Sequence, residues 1–156
     1  MVGAKSQTEV DLVAIAQEVA ELTTPQAGLA NIKIWFEANV DTAPLRGDAD
    51  MLKQAILNLV LNAIEAMKSG GNLWLRVSRE GSAVVLNVSD DGPGIPAEAR
   101  DKVFQLYFTT KQRGSGIGLA MTYRAVQLHN GTINFSTELG RGTAFQLQFP
   151  ALVRYT

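Results

Sequence analysis

The sequence predicts an α+β fold, a two-layer α/β sandwich in which a mixed, mostly antiparallel sheet of about five strands packs under three helices. Three segments carry apolar residues at helical spacing, and about five others alternate between apolar and polar residues. The strand segments follow one another in hairpin-like pairs, which favours one sheet under one helical layer. With 156 residues, of which 46% are hydrophobic, the chain can bury one sizeable core.

Composition excludes several classes of function. The formal net charge of -1 provides no general attraction to nucleic acid or to an anionic membrane. The absence of cysteine excludes disulfides and thiolate metal sites, and the single histidine disfavours zinc. No apolar run approaches the ~18 residues of a membrane span, and the N-terminus lacks a signal-peptide layout. We therefore expect a cytoplasmic domain without direct membrane contact.

We expect residues 1–9 to be a linker or a remnant of an expression vector, and residues 10–156 to form a single domain. The first helix is predicted over 10–22. It is expected to stop at Thr23-Thr24-Pro25, because the residue before a proline avoids the helical region. Residues 31–37 alternate and are rich in β-branched and aromatic types, which is typical of a strand.

The longest predicted helix covers residues 51–67, with Asp48 as its N-cap and glycines following its end. It is apolar almost all round, except for four polar residues that fall within about 80° of one another: Gln54, Asn58, Asn62 and Glu65. Asparagine is a poor helix former and is costly to bury alone. This stripe indicates either a ligand or metal site or side chains that bond to neighbouring backbone.

The second half of the chain is predicted to hold a hairpin, a long irregular stretch, a helix and two more strands. Glycines and prolines interrupt residues 91–118, and so long a loop in a compact domain is usually functional or disordered. The predicted elements are strands at 72–79 and 83–90, a short helix within 97–106, a helix at 117–129, and strands at 132–137 and 143–149.

A glycine-rich run opens the last helix, where residues 114–118 read GSGIG. Backbone amides freed by glycines at a helix N-terminus can hold a phosphate group. The same pattern also fits a flexible loop that ends in a helix. The run is neither a dinucleotide-binding fingerprint nor a Walker A motif.

A second candidate follows the strand at 83–90, where residues 90–94 read DDGPG. A carboxylate there can face a pocket while glycine lets the backbone approach a flat ligand, although a turn capped by Asp would look the same. An Asp that accepts a hydrogen bond from the adenine amine would face an acceptor in guanine. An unpaired buried acceptor costs about 1 to 3 kcal/mol, which would favour ATP over GTP.

Five motifs stand in the order found in the ATP-binding domain of bacterial sensor histidine kinases, members of the GHKL superfamily. NLVLNAIEAM (58–67), DDGPG (90–94), VFQLYFTTK (103–111), GSGIGL (114–119) and GRGT (140–143) resemble that family's N box, first glycine box, F box, second glycine box and final glycine-threonine motif. The resemblance extends from about residue 10 to residue 149. The wording looks most like the nitrogen-regulatory branch.

The resemblance implies the histidine-kinase-like ATPase fold and a site for ATP with Mg²⁺. Asn62 would be the metal ligand, Asn58 would lie beside the phosphates and Lys111 would reach the terminal phosphates, so these three would support catalysis. Asp90 would recognise the adenine amine, and Thr143 would support the same edge. The other residues implied in nucleotide binding are Glu65, Gly92, Gly94, Ile95, Phe104, Phe108, Thr110, Gly114, Ser115, Gly116, Ile117, Gly118 and Leu119.

The resemblance also implies transfer of the γ-phosphoryl group of ATP to a histidine on a dimerisation domain outside this chain. A response regulator receiver domain would be the next partner. The main alternative is a GHKL-type ATP hydrolase, but those relatives place a glutamate one turn before the metal-binding asparagine, and here that position is Asn58. A non-catalytic ATP-sensing interaction module is a further alternative.

His129 is not expected to be the phosphorylated histidine. The acceptor of the resembling family lies in a separate helical hairpin, beside an acidic residue. His129 instead stands at the end of a predicted helix, before Asn130 and Gly131.

Overall fold

The computed structural model describes residues 7–103 and 118–152. The strands of this part of the chain are β1 Thr8–Asp11, β2 Ile32–Ala38, β3 Pro44–Gly47, β4 Gly71–Glu80, β5 Ala83–Asp90, β6 Thr132–Glu138 and β7 Gly142–Pro150. Its α-helices are α1 Leu12–Leu29, α2 Ala49–Ala66 and α3 Gly118–Leu128, and Ala97–Lys102 forms a 3₁₀ segment.

Five strands form one sheet in the order β2-β4-β5-β7-β6. β2 runs parallel to β4, whereas the other neighbouring pairs are antiparallel. Val77, Leu86, Leu147 and Ile133 form one row across four strands, and all four side chains are buried in the core. This architecture confirms the predicted α+β class with a mixed, mostly antiparallel sheet.

The first helix does not stop before Pro25, so that prediction is wrong. α1 continues to Leu29 with the proline inside it. The hydroxyl groups of Thr23 and Thr24 donate to backbone carbonyls one turn earlier, at 2.8 and 2.7 Å, a pattern that accommodates bends in helices. Beyond the proline, Ala27 is fully buried. Packing of Ala27 against the core thus favours the helical continuation beyond the proline.

The ordered fold begins before residue 10. Strand β1 starts at Thr8 and pairs antiparallel with β3 in a separate two-stranded sheet, so the predicted linker 1–9 overlaps a strand. One carboxylate oxygen of Asp11 accepts hydrogen bonds from the backbone amides of Val13, at 3.0 Å, and Ala43, at 2.8 Å. Asp11 therefore caps α1 and fastens it to the segment that leads into β3.

The long helix begins as predicted, because Asp48 accepts a hydrogen bond from the backbone amide of Met51 at 3.1 Å. His129 links the same cap to the end of α3. Its Nε2 accepts the Asp48 amide at 3.0 Å, its Nδ1 lies 2.7 Å from the Ala125 carbonyl oxygen, and the residue is only 3% exposed. A ring that accepts at Nε2 and donates at Nδ1 is neutral. His129 is thus a buried link between two helices.

The remaining predicted elements differ from the structure mainly at their ends. The β4–β5 hairpin is confirmed, with β4 one residue longer at each end than predicted. The short helix predicted within 97–106 is a 3₁₀ segment that ends at Lys102, and residues 104–106 lie outside the described part. Within residues 7–103 and 118–152, no helix is long and apolar enough to cross a membrane.

Candidate functional site

Asn58, in the polar stripe of α2, faces the beginning of α3. Asn58 donates from Nδ2 to the Gly118 carbonyl oxygen at 3.3 Å, and its Oδ1 accepts from Gln54 at 3.0 Å. Both Asn58 and Asn62 are half-buried, while Gln54 and Glu65 are exposed. For Asn58, the predicted alternative of a bond to neighbouring backbone is therefore realised. The same bond places this amide directly beside the first residue of α3.

A buried threonine fixes α3 against α2. The hydroxyl of Thr122 lies 3.0 Å from the carbonyl oxygen of Ala55 and 3.0 Å from that of Gly118, and the residue is fully buried. Leu119 is half-buried and packs against the core. These contacts set the position of the helix start that the glycine-rich run was predicted to form.

Asp90 ends β5 with its carboxylate half-buried. Burial raises the pKa of this carboxyl above its ordinary value, and the nearby charge of Asp91 raises it further, although hydrogen bonds from the backbone amides of Gly92 and Thr143 act in the opposite direction. Oδ1 accepts the Gly92 amide at 2.9 Å. Asp90 therefore does cap the turn, as the simpler interpretation held, and it also remains a partly desolvated acceptor at the end of the strand.

Three glycines allow close backbone approaches around this carboxylate. A Cβ on Gly142, at φ +118°, would lie against the Asp90 carbonyl, and one on Gly94, at φ +81°, would lie 2.6 Å from the Glu138 carbonyl oxygen. One on Gly92 would lie 2.8 Å from the Met67 side chain. The motif glycines thus allow the loop after β5 to pack between the end of α2 and the β6–β7 turn.

A hydroxyl pair lies beside the Asp90 carboxylate, because Asp90 and Thr143 are opposite each other in the β5–β7 ladder. Thr143 is only 7% exposed, and its Oγ1 lies 3.0 Å from Thr137 Oγ1. Thr137 also accepts the backbone amide of Ile95 at 2.8 Å. Thr137 was missed by the sequence reasoning. The sequence offers one indication of its role: Thr137 is a polar residue on the same side of β6 as the buried Ile133, four positions earlier.

A second set of contacts that sequence reasoning missed anchors the loop to the sheet. Both carboxylate oxygens of Asp91 accept from Asn72, at 2.8 Å from the backbone amide and 3.0 Å from the side chain. The Asn72 side chain in turn accepts from Trp35 Nε1 at 3.0 Å. Burial raises the pKa of Asp91, but these hydrogen bonds from Asn72 outweigh it, and the pKa is lowered. No local signal in the sequence connects these three residues.

Part of the predicted site lies outside the described residues, because it falls within 104–117. These predictions stay as they were made from the sequence: Phe104, Phe108, Thr110, Lys111, Gly114, Ser115, Gly116 and Ile117. Asn62 and Glu65 lie on α2 and Leu119 lies on α3. The described contacts place the other predicted positions in two groups, with Asn58 and Gly118 between α2 and α3 and the rest at the end of the sheet. They are Asn58, Asp90, Gly92, Gly94, Ile95, Gly118 and Thr143.

The predicted metal ligand has the chemistry that magnesium prefers. Asn62 stands one turn after Asn58 on α2 and is half-buried. Among residues 7–103 and 118–152, no hydrogen-bonding partner occupies the Asn62 side chain. Mg²⁺ is held by oxygen ligands and usually takes only one or two from protein, with phosphates and water completing the shell. A single half-buried amide oxygen is compatible with that arrangement.

The fold and this site define a class of protein. A family model for the "Histidine kinase-, DNA gyrase B-, and HSP90-like ATPase" matches residues 47–153, and the chain belongs to this family. The catalytic domain of the histidine kinase ThkA superposes with a TM-score of 0.84 at 31% identity, over 92% of this chain and 95% of that one.

Relatives narrow the class to sensor kinases. The chain is 39% identical over 142 residues to the sensor histidine kinase ZraS of Escherichia coli K12, covering 90% of this chain and 30% of ZraS. It is 33% identical to sporulation kinase A of Bacillus subtilis, over 90% of this chain and 23% of that protein. The chain thus spans a third or less of these relatives, and it is homologous to the ATP-binding catalytic domain of sensor histidine kinases.

Proposed function

We propose that this domain binds Mg-ATP and transfers the γ-phosphoryl group to a histidine on a dimerisation domain of the same protein. Phosphoryl transfer requires mainly that the protein position the reacting groups and neutralise their charge. The residues assembled at the site suit that demand, since they are amides, hydroxyls, one carboxylate and glycine backbone. No nucleophile of the domain's own is required.

The main support for the proposal is that an asparagine, Asn58, occupies this position of α2. A hydrolase needs a general base to activate water, and the family's hydrolases have a glutamate at this position. The Asn58 amide cannot accept a proton, and both of its polar atoms already bond to Gly118 and Gln54. This arrangement favours transfer to a partner over transfer to water.

In the proposed complex, Asp90 accepts the adenine amine and Thr143 supports the same edge of the base. Gly92, Gly94 and Ile95 line the base, and Gly118 and Leu119 begin the helix beside the phosphates. Asn62 holds Mg²⁺, whose charge offsets that of the phosphate oxygens. Glu65 lies one turn further along α2, exposed near its end. Lys111 and the other motif residues of 104–117 complete the proposed site.

The partners belong to the same proposal. α3 exposes Met121 to 53% and Tyr123 to 39% in its first two turns, next to the proposed phosphate site, and such apolar side chains suit a protein contact.

The phosphorylated dimerisation domain then passes the phosphoryl group to a response regulator receiver domain. Among solved structures similar to this chain is ThkA in complex with the response regulator TrrA, with a TM-score of 0.79 at 28% identity. This proposal places the domain in the cytoplasm.

The test mixes this chain, labelled ATP and Mg²⁺ with the dimerisation domain supplied as a separate polypeptide. We expect label on the dimerisation domain, stable to base and lost in acid, as for phosphohistidine. An Asp90→Ala chain is the matched control and should transfer little. An acid-stable product would indicate a serine or threonine kinase, and steady ATP turnover by the chain alone, on a timescale of seconds or faster, would indicate a hydrolase.

A further inference from the structure

Strand β2 forms one edge of the five-stranded sheet, and β4 is its only strand neighbour among residues 7–103 and 118–152. The Asn31 carbonyl oxygen accepts from the Gly71 amide at 3.2 Å, and the Asn39 amide donates to the Val77 carbonyl oxygen at 3.1 Å. Along a strand, the backbone groups of successive residues point to opposite sides. Those of every second residue in β2, from Ile32 to Ala38, therefore point away from β4 to an open edge.

The solvent-facing side of this edge carries two opposite charges around a tryptophan. Lys33, Trp35 and Glu37 alternate along β2 and are exposed. The ammonium nitrogen of Lys33 lies 4.1 Å from the centre of the Trp35 ring, and the indole Nε1 donates to Asn72 Oδ1 at 3.0 Å. One carboxylate oxygen of Glu37 accepts from Arg76 Nε at 3.2 Å, which leaves the other oxygen for a second partner.

The edge is complementary to itself when two copies run antiparallel and Trp35 of one faces Trp35 of the other. Lys33 of each copy then lies opposite Glu37 of the other, on the same face of the joined sheets. Ile34 lies opposite Phe36, and because both have backbone groups that face the edge, these residues form a hydrogen-bonded pair. A slip of four residues in the register places Lys33 opposite Lys33 or Glu37 opposite Glu37, which is destabilising. The charges that usually protect an edge strand from pairing therefore select one register here.

We propose that β2 is a self-association surface, on which a second copy of this chain adds its own β2 in antiparallel orientation. The contact is two-fold symmetric, so it closes as a dimer and leaves no open edge at β2. The opposite charges, the pair of tryptophans and the backbone hydrogen bonds of residues 32–38 stabilise it. No residue predicted to bind the nucleotide lies on β2, so this inference goes beyond the proposed function and does not depend on it.

The association should be weak, because one pair of strands buries less than the ~1,200 Å² of a stable interface. Sedimentation velocity at concentrations up to about 1 mM, the range of weak dissociation constants, should show a sedimentation coefficient that rises with concentration. Lys33→Glu or Glu37→Lys should weaken the association about tenfold or more, since like charges then face each other. Glu98→Lys, a change of charge at an exposed position of the 3₁₀ segment, should leave the association unaltered.

An equimolar mixture of the Lys33→Glu and Glu37→Lys chains should associate again, because one chain then has two acidic and the other two basic side chains along β2. Amide hydrogen exchange of the wild-type chain locates the contact. The Ile34 and Phe36 amides face the open edge, and they should exchange more slowly as the concentration rises. The proposal is overturned if the wild-type chain stays monomeric over the whole concentration range, if the mixture does not recover the association, or if these two amides exchange at the same rate at every concentration.

Discussion

Replacing Asp90 by alanine is the most direct perturbation of the proposed adenine site. The carboxylate is half-buried at the end of β5, and its pKa is raised mainly by burial. A hydrogen bond to a charged group contributes about 1.5 to 3 kcal/mol. Losing the bond to the adenine amine should therefore weaken ADP binding by about 10- to 150-fold.

The fold should survive this substitution. Asp90→Ala removes the 2.9 Å hydrogen bond from the Gly92 amide and the one from the Thr143 amide, each of which contributes about 1 kcal/mol. It also removes a partly buried charge, which acts in the opposite direction. Calorimetric titration with ADP measures the affinity, and urea unfolding of the same sample measures the free energy of unfolding.

Asp91→Ala is the matched control, because it removes the adjacent carboxylate, whose hydrogen bonds go to Asn72. We expect Asp91→Ala to weaken ADP binding less than Asp90→Ala does, since it removes bonds to Asn72 but leaves the Asp90 carboxylate in place. If Asp90→Ala folds normally and binds ADP as tightly as wild type, Asp90 does not recognise adenine.

Three further predictions concern metal binding, pH and stability. Asn62→Ala should lose the Mg²⁺ dependence of ATP affinity, and a metal titration with the wild-type slope would contradict its role as a ligand. The pKa of Asp90 is raised in the folded state. The nucleotide-free protein should therefore lose stability as the pH rises from the pKa of an unfolded Asp, about 3.9, through the raised pKa of the folded state. Urea unfolding across this pH window should show a smaller decline in the free energy of unfolding for Asp90→Asn than for wild type. His129→Ala should lower the free energy of unfolding by about 3 kcal/mol, since it leaves a cavity and an unpaired Asp48 amide, and a loss below about 1 kcal/mol in urea unfolding would refute this.

The local elements of the fold could be read from the sequence because their signals are local. Alternation, helical spacing, the Asp48 cap and the turn glycines each involve residues close together in the chain. One exception is β1, which begins within the predicted linker 1–9, and another is α1, where a local rule predicted an end before Pro25. Burial of Ala27 depends on contacts with distant parts of the chain, which no local rule contains.

The candidate site was also predicted from the sequence, because the motifs that suggest it occur in a characteristic order along the chain. The order predicted that Asp90 and Thr143 border one ligand, which stays a prediction. The β5–β7 register places the two residues opposite each other. The order also identified Asn58 and Asn62 on one side of α2. The Asn58 hydrogen bonds, which keep this amide against α3, could not have been foreseen from their spacing.

The sequence by itself determined the class of fold and the ATPase family, and it predicted which residues carry the chemistry. Only the tertiary structure decided how those residues are held. Thr137 reaches Ile95, 42 positions away, and His129 accepts from Asp48, 81 positions away. Such bonds form between ordinary polar residues that folding brings together, so their partners become apparent only once strands and helices have taken their register.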